Sequence, residues 1–122
     1  MSDANALTAK LLIEIPARFP NIRVWRNNRV DAMLPGFNGR MRRVQAGIDG
    51  QADISGIVGP SGKRLELEVK CGKDRQSLEQ IAFERMIRER GGVYVLVAYQ
   101  RDNGGMTMDG VVKWTLEMLA DL

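Results

Sequence analysis

The sequence predicts an α/β domain, residues 1–122, in which a mixed central sheet is flanked by helices in the order α-β-β-β-α-β, followed by a closing helix. Three observations carry that prediction. In "RLELEVK" (64–70), Leu65, Leu67 and Val69 alternate with Arg64, Glu66, Glu68 and Lys70, the period-two pattern of a strand with one apolar and one charged face. From 76 to 90, Leu78, Ile81, Ala82, Met86 and Ile87 recur at helical intervals, and Gly91-Gly92 supplies a C-cap. The "VYVLVAY" that follows (93–99) is an unbroken apolar run, as expected of a buried strand.

The remaining elements follow along the chain. Leu7, Leu11, Leu12 and Ile15 predict a first helix over 4–17, stopped by Pro16 and "RFPN". "IRVW" (22–25) reads as a short strand. "NNRVDAMLPGFNGR" reads as a long basic loop with a turn at Asn38-Gly39, a flexible segment facing DNA over 28–43, and "RMRRVQ" is compatible with a second strand. "ADISGIV" (52–58) pairs across the turn "GPSGK" with 64–70 as a hairpin, and "DGVVKWTLEMLADL" closes the chain as a helix capped by Asp109.

At 122 residues the chain has the size of one domain, and 44% hydrophobic with 27% charged residues excludes a disordered composition. No apolar run approaches the roughly 18 residues of a membrane span, and no basic leader precedes the first apolar stretch, which leads to the expectation of a cytosolic protein. The absence of His excludes His-based triads and His-ligated metals, and the single Cys71 excludes an intrachain disulfide and a zinc cluster. Any metal must therefore be held by oxygen, which selects hard cations such as magnesium, calcium or manganese. The net charge is +3, and Arg23, Arg26, Arg29, Arg40, Arg42 and Arg43 fall within 21 residues, a cluster suited either to phosphate backbones or simply to a solvated basic surface.

Asp53 and Glu68 stand on neighbouring predicted strands, and adjacent strands lie only about 4.8 Å apart, so the two carboxylates can converge on one divalent cation. The Val69 carbonyl can add a third oxygen. Lys70 projects from the same face as Glu68, where an amine can steer or deprotonate a water or offset charge on a pentavalent phosphorus. The plain alternative is a solvent-exposed strand face on which Glu66, Glu68 and Lys70 are polar alternation. Against it, Asp53 opens an otherwise apolar run where a carboxylate has no evident solubility purpose.

"QADISGIV", "LELEVK" and "SLEQIAFERMIRERGGVYVLVA", preceded by "VWRNN" (24–28), together resemble the VRR-NUC domain, the virus-type replication-repair nuclease branch of the PD-(D/E)XK superfamily. The resemblance spans about residues 7–100, and its ordered set of motifs is far more specific than the ExK tripeptide alone. It implies a restriction-endonuclease-like core in which Asp53, Glu68 and Lys70 are catalytic, Gln80 on the following helix orients Lys70 or a phosphate oxygen, and Asp53, Glu68 and Val69 hold magnesium or manganese. Two departures stand out. The family's G-x-P-D appears here as Gly50-Gln51-Ala52-Asp53, and the acidic residue of the first helix has only Glu14 as a candidate.

The implied activity is a metal-dependent endonuclease cutting branched DNA such as four-way junctions, working as a homodimer, with relatives of this compact kind being viral. Arg26, Asn27, Arg42 and Arg43 are the candidate DNA contacts; Trp25 is read as core rather than a base-stacking platform, and Ser77 as the N-cap of the Gln80 helix. Trp114, Leu116 and Leu119, or the strand 93–99, are the candidate dimer surface. The competing readings are a non-catalytic nucleic-acid-binding module of the same fold and an RNA or single-strand nuclease.

Overall fold

The computed structural model describes residues 1–28, 30–101 and 105–122 (for 30, 31, 45 and 46, the backbone). Its elements are α1 (Asp3–Arg18), β1 (Ile22–Arg26), β2 (Val30–Pro35), β3 (Met41–Ala46), β4 (Ile54–Val58), β5 (Lys63–Cys71), α2 (Leu78–Glu89), β6 (Val93–Tyr99) and α3 (Met108–Leu119). Four strands form one mixed sheet in the order β1-β4-β5-β6, antiparallel except for the β5–β6 pair, whose parallel direction is made possible by the α2 crossover. Among the described residues no helix is long and apolar enough to cross a membrane.

Strand alternation divides the molecule into layers. Leu65, Leu67 and Val69 of β5 point to the side covered by α1 and α3, where Leu7, Leu11, Ile15, Val111 and Leu119 pack against them with Ile54, Val95 and Val97. Burial of each such side chain contributes about 1.5–3 kcal/mol. Glu66, Glu68 and Lys70 point to the other side, where α2 lays Phe83 and Ile87 over Tyr94 and Ala52. The charged face of β5 therefore lies inside the protein: Glu66 is 0% exposed and Glu68 2%. Solvated alternation is excluded for these two residues.

Several sequence expectations are corrected. Residues 30–35, expected within the loop, form β2, which pairs antiparallel with the expected strand β3 as a ribbon separate from the main sheet, turning through Phe37–Gly39, where Asn38 and Gly39 adopt the left-handed conformation at φ 66° and 71°. Three arginines, Asp31 and Pro35 obscure its period-two pattern, and Pro35 is tolerated because it ends its strand. The first helix, by contrast, meets its expected bounds of 4–17 to within one residue at each end, a proline in the last turn removing only one helical bond. Helix α3 is capped by Thr107, whose hydroxyl accepts from Gly110 N–H at 3.1 Å; Asp109 sits in the first turn and pairs with Lys10 at 3.2 Å.

β6 is an edge strand with Leu96 partly exposed, not one buried on both faces. The expected C-cap is present in full: Gly91 is left-handed at φ 82°, Gly92 N–H donates to Ile87 O and Gly91 N–H to Arg88 O. Leu119 is buried, and Trp114 and Leu116 pack on the chain's own core, so α3 spends its apolar face within the monomer.

Candidate active site

The site is built just before β4 begins, where β5 runs on past it. The register sets Ile54 opposite Leu67 and Ser55 opposite Glu66. One step before β4, the side chain of Asp53 takes over the ladder: its Oδ2 accepts the Val69 N–H at 2.7 Å, which holds the carboxylate beside Glu68. Asn27 fixes the backbone on the other side, its N–H donating to Asp53 O at 2.9 Å and its side-chain amide to Ala52 O at 2.9 Å. The turn that leads in, Gly50-Gln51-Ala52, relies on Gly50. That residue is left-handed at φ 76°, and a Cβ there would lie 2.2 Å from the Glu79 carbonyl oxygen. Glycine thus lets residues 48–52 press against the start of α2, and together they wall a cleft of about 450 Å³ that reaches Asp53 and Gln80.

Gln80 owes its orientation to a helix cap. Ser77 Oγ accepts the Gln80 N–H at 3.1 Å and Gln80 Oε1 accepts the Ser77 N–H at 2.8 Å, a reciprocal capping box. Because Oε1 is committed to the cap, Nε2 is left facing Glu68, and it donates to Glu68 Oε1 at 3.3 Å. Glutamate would satisfy the cap equally well but would bring a carboxylate against Glu68. Gln80→Glu is accordingly expected to fold with its cap intact yet to lose about 1–2 kcal/mol at pH 8, where both acids resist a common charge. The loss should nearly vanish at pH 5; thermal melts at the two pH values check it. Lys70 Nζ approaches the same Oε1 at 3.9 Å, with only 13% of its side chain exposed.

The two buried glutamates differ in how well they are satisfied. Glu66 receives Arg64 Nε on one oxygen at 2.6 Å and Ser55 Oγ on the other at 2.7 Å, and Ser55 in turn receives the Asn27 amide at 2.6 Å. This closed network needs nothing further. Glu68 Oε2, by contrast, is buried and has no donor. Burial first, then a hydrogen bond and the charge of Asp53, push the Glu68 carboxyl up to about 8 from its ordinary 4.5, only partly opposed by Lys70. A hydrogen bond between the two acids requires a shared proton; as bare carboxylates they repel.

An orphaned buried oxygen beside a second carboxylate fits a hard divalent cation, whose charge would replace that proton. Among the described residues no group of three or more Asp, Glu, His or Cys gathers anywhere, so Glu14 does not complete a three-acid site; it lies exposed on α1, across the sheet from Glu68. A cation here would draw its remaining oxygens from backbone, water or substrate.

The predicted DNA contacts divide. Arg42 and Arg43 lie on β3 with Arg40 just before it, while Arg29 falls outside the described residues. Arg26 projects to the α1 side and donates to Asn5 Oδ1 at 2.6 Å, and Asn27 spends its amide on Ala52 and Ser55, which makes it a support of the Asp53 turn. Trp25 is not core: it is 41% exposed on the part of the sheet that α2 leaves open, with the Arg64 guanidinium 5.6 Å from its ring centre and Arg23 exposed on the same strand.

Cys71, next to Lys70, has its thiol pushed up by burial. Sequence reasoning missed Ser55 and Glu66, whose role shows only in the strand register. It also missed Arg75, which lines a second cleft of about 380 Å³ together with Lys70 and Asp74. The charge run "KCGKDR" was the available signal. Compared with protein-family models this chain matches none, and no curated protein is significantly similar to it.

Proposed function

We propose that this chain is a metal-dependent, structure-specific DNA endonuclease of the VRR-NUC type, with a restriction-endonuclease-like core. The observation that carries the reading is buried Glu68 beside half-buried Asp53, with one Glu68 oxygen lacking any donor and Lys70 close by. Asp53, Glu68 and the Val69 carbonyl would hold magnesium or manganese. Val69 donates its N–H toward Asp53, and a strand residue's N–H and C=O face the same neighbour, which favours that carbonyl. When bound, such a cation makes water nucleophilic at neutral pH and offsets charge on the leaving oxygen.

The chain's own residues supply the rest. Gln80 pins Glu68 in place through a bond that the helix cap pre-sets, so the carboxylate has no reorganisation to undergo on binding. Lys70 opens to the second cleft, where its ammonium can offset charge at the attacked phosphate or its amine can take the proton of the attacking water. Arg75 on the same cleft offers a fork for an adjacent phosphate.

One such site cuts one strand, so resolving a four-way junction calls for two copies about a two-fold axis. With α3 committed to the core, the outer edge of β6 is the favoured pairing surface; among the described residues it has no strand beside it.

Labelled duplex, flap, four-way-junction and RNA substrates, incubated with magnesium, manganese or excess chelator, test the reading. Nicking of branched DNA with either metal and none in chelator is expected. Full activity in chelator would sink the metal role, cleavage of RNA alone would sink the DNA assignment, and binding without cleavage would indicate the non-catalytic module.

A further inference from the structure

The β2–β3 ribbon has no role in the chemistry above, yet it joins the site at both ends. One strand leaves from Asn27, which holds the Asp53 turn, and the other returns into residues 48–52, which wall the cleft. An isolated two-stranded ribbon is marginal on its own in water, and this one covers little of itself. Met33, Leu34 and Met41 are exposed along it, and Phe37 stands at its apex 93% exposed, turned outward by the left-handed Asn38-Gly39 pair.

The register places these apolar side chains beside arginines: Leu34 opposite Arg42 and Met33 opposite Arg43. Segment 30–46 carries Arg40, Arg42 and Arg43 against the single acid Asp31. Apolar side chains interleaved with arginine on a thin ribbon match a polyanion that also offers stacked apolar faces, which is duplex DNA.

We propose that this ribbon is a DNA-binding arm that inserts Phe37 between stacked base pairs while Arg40 and Arg42 hold the flanking phosphates. The proposal rests on the endonuclease reading for its choice of occupant. An apolar side chain wedged into a base step kinks the duplex, and the cost of unstacking is least where pairing is already broken. The arm therefore selects branched over continuous DNA, and the chain acquires structure preference without an accessory domain. Six residues per strand reach about 20 Å, so the wedged step lies within roughly six base pairs of the cut.

The experiment uses the full chain in excess chelator with junctions carrying 2-aminopurine at successive positions around the nicked bond. A fluorescence rise at one position within that range is expected. Phe37→Ala should abolish it and weaken junction binding about 3- to 10-fold, and Phe37→Trp should restore both. Because Phe37 is almost wholly exposed, folding of the Ala variant is not at stake. Replacing Arg40 and Arg42 together by Ala should reduce the slope of log affinity against log salt by about 2, close to one released counterion per phosphate contact.

Unchanged fluorescence and affinity in Phe37→Ala would overturn the arm, as would an unchanged salt slope in the double variant. Co-sedimentation with anionic phosphatidylserine vesicles, lost in Phe37→Ala without any 2-aminopurine signal on DNA, would overturn it in favour of a lipid surface. A protein that unstacks DNA at this position but cuts nothing in magnesium would refute the nuclease and support the arm. One that nicks junctions equally with Phe37 or Ala would do the reverse.

Discussion

Asp53→Asn should reduce cleavage by about 10³-fold or more while making the metal-free protein more stable at pH 8. The loss follows from removing one of the two carboxylates that, among the described residues, would hold the proposed cation: the several kcal/mol that a bound metal would contribute to the transition state amount to about three decades of rate. The gain has a separate cause. Asparagine keeps an oxygen to accept the Val69 N–H and brings an amide that can donate to Glu68, so the ladder survives and a repulsive neighbour becomes a donor. Relief of that repulsion should raise stability by about 1–2 kcal/mol. Single-turnover nicking and thermal melts measure the two effects. A variant that loses activity and stability together would mean that Asp53 is structural.

The second large effect is on stability as a function of pH. Glu68 titrates at about 8 in the folded chain against an ordinary 4.5, so between these values the folded state holds a proton that the unfolded state has released. The stabilisation tied to that proton is complete below about 4.5, declines as pH rises and is gone above about 8. At about 1.4 kcal/mol for each pH unit that separates the folded and unfolded titrations, the loss is of the order of a few kcal/mol, or roughly 10 °C in melting temperature for a chain of this length. Millimolar manganese or magnesium should restore most of it at pH 8, because a ligand at about 100 times its dissociation constant adds some 2.7 kcal/mol. A melting temperature flat from pH 5 to 8 in chelator would show Glu68 to be an ordinary ionised carboxylate. Calcium, with the same charge, should stabilise as well while supporting little turnover.

Residues 52–99 were the most legible part of the chain, for a reason visible in their chemistry. The 64–70 strand carries its pattern without interruption, the helix is bracketed by Ser77 and Gly91-Gly92, and both ends form the caps that those residues favour. Asp53, Glu68 and Lys70 were nameable as a group because strand alternation is a local property, whereas Gln80 entered only through the family resemblance. Their meeting was not legible. It depends on Asp53 replacing a backbone partner of Val69, on Gly50 allowing the turn to touch α2, and on α2 closing over a face that alternation alone leaves open to water.

The same division runs through the residues that were misplaced. Trp25 has the composition of core, yet α2 stops short of β1 and leaves it outside, while Arg26, the next residue of the strand, turns toward α1 by alternation. The ribbon was hidden because its stabilising pairs lie across two strands while its charges lie along one. By itself the sequence determined the helices and strands of the main sheet, the apolar face of β5, the Ser77 and Gly91-Gly92 caps and the inventory of carboxylates, all set by neighbours within a few residues. Tertiary structure alone decided which of two similarly buried glutamates is satisfied and which keeps an oxygen without a donor. That depends on the number of donors reaching each oxygen, and those donors come from residues far apart in the chain.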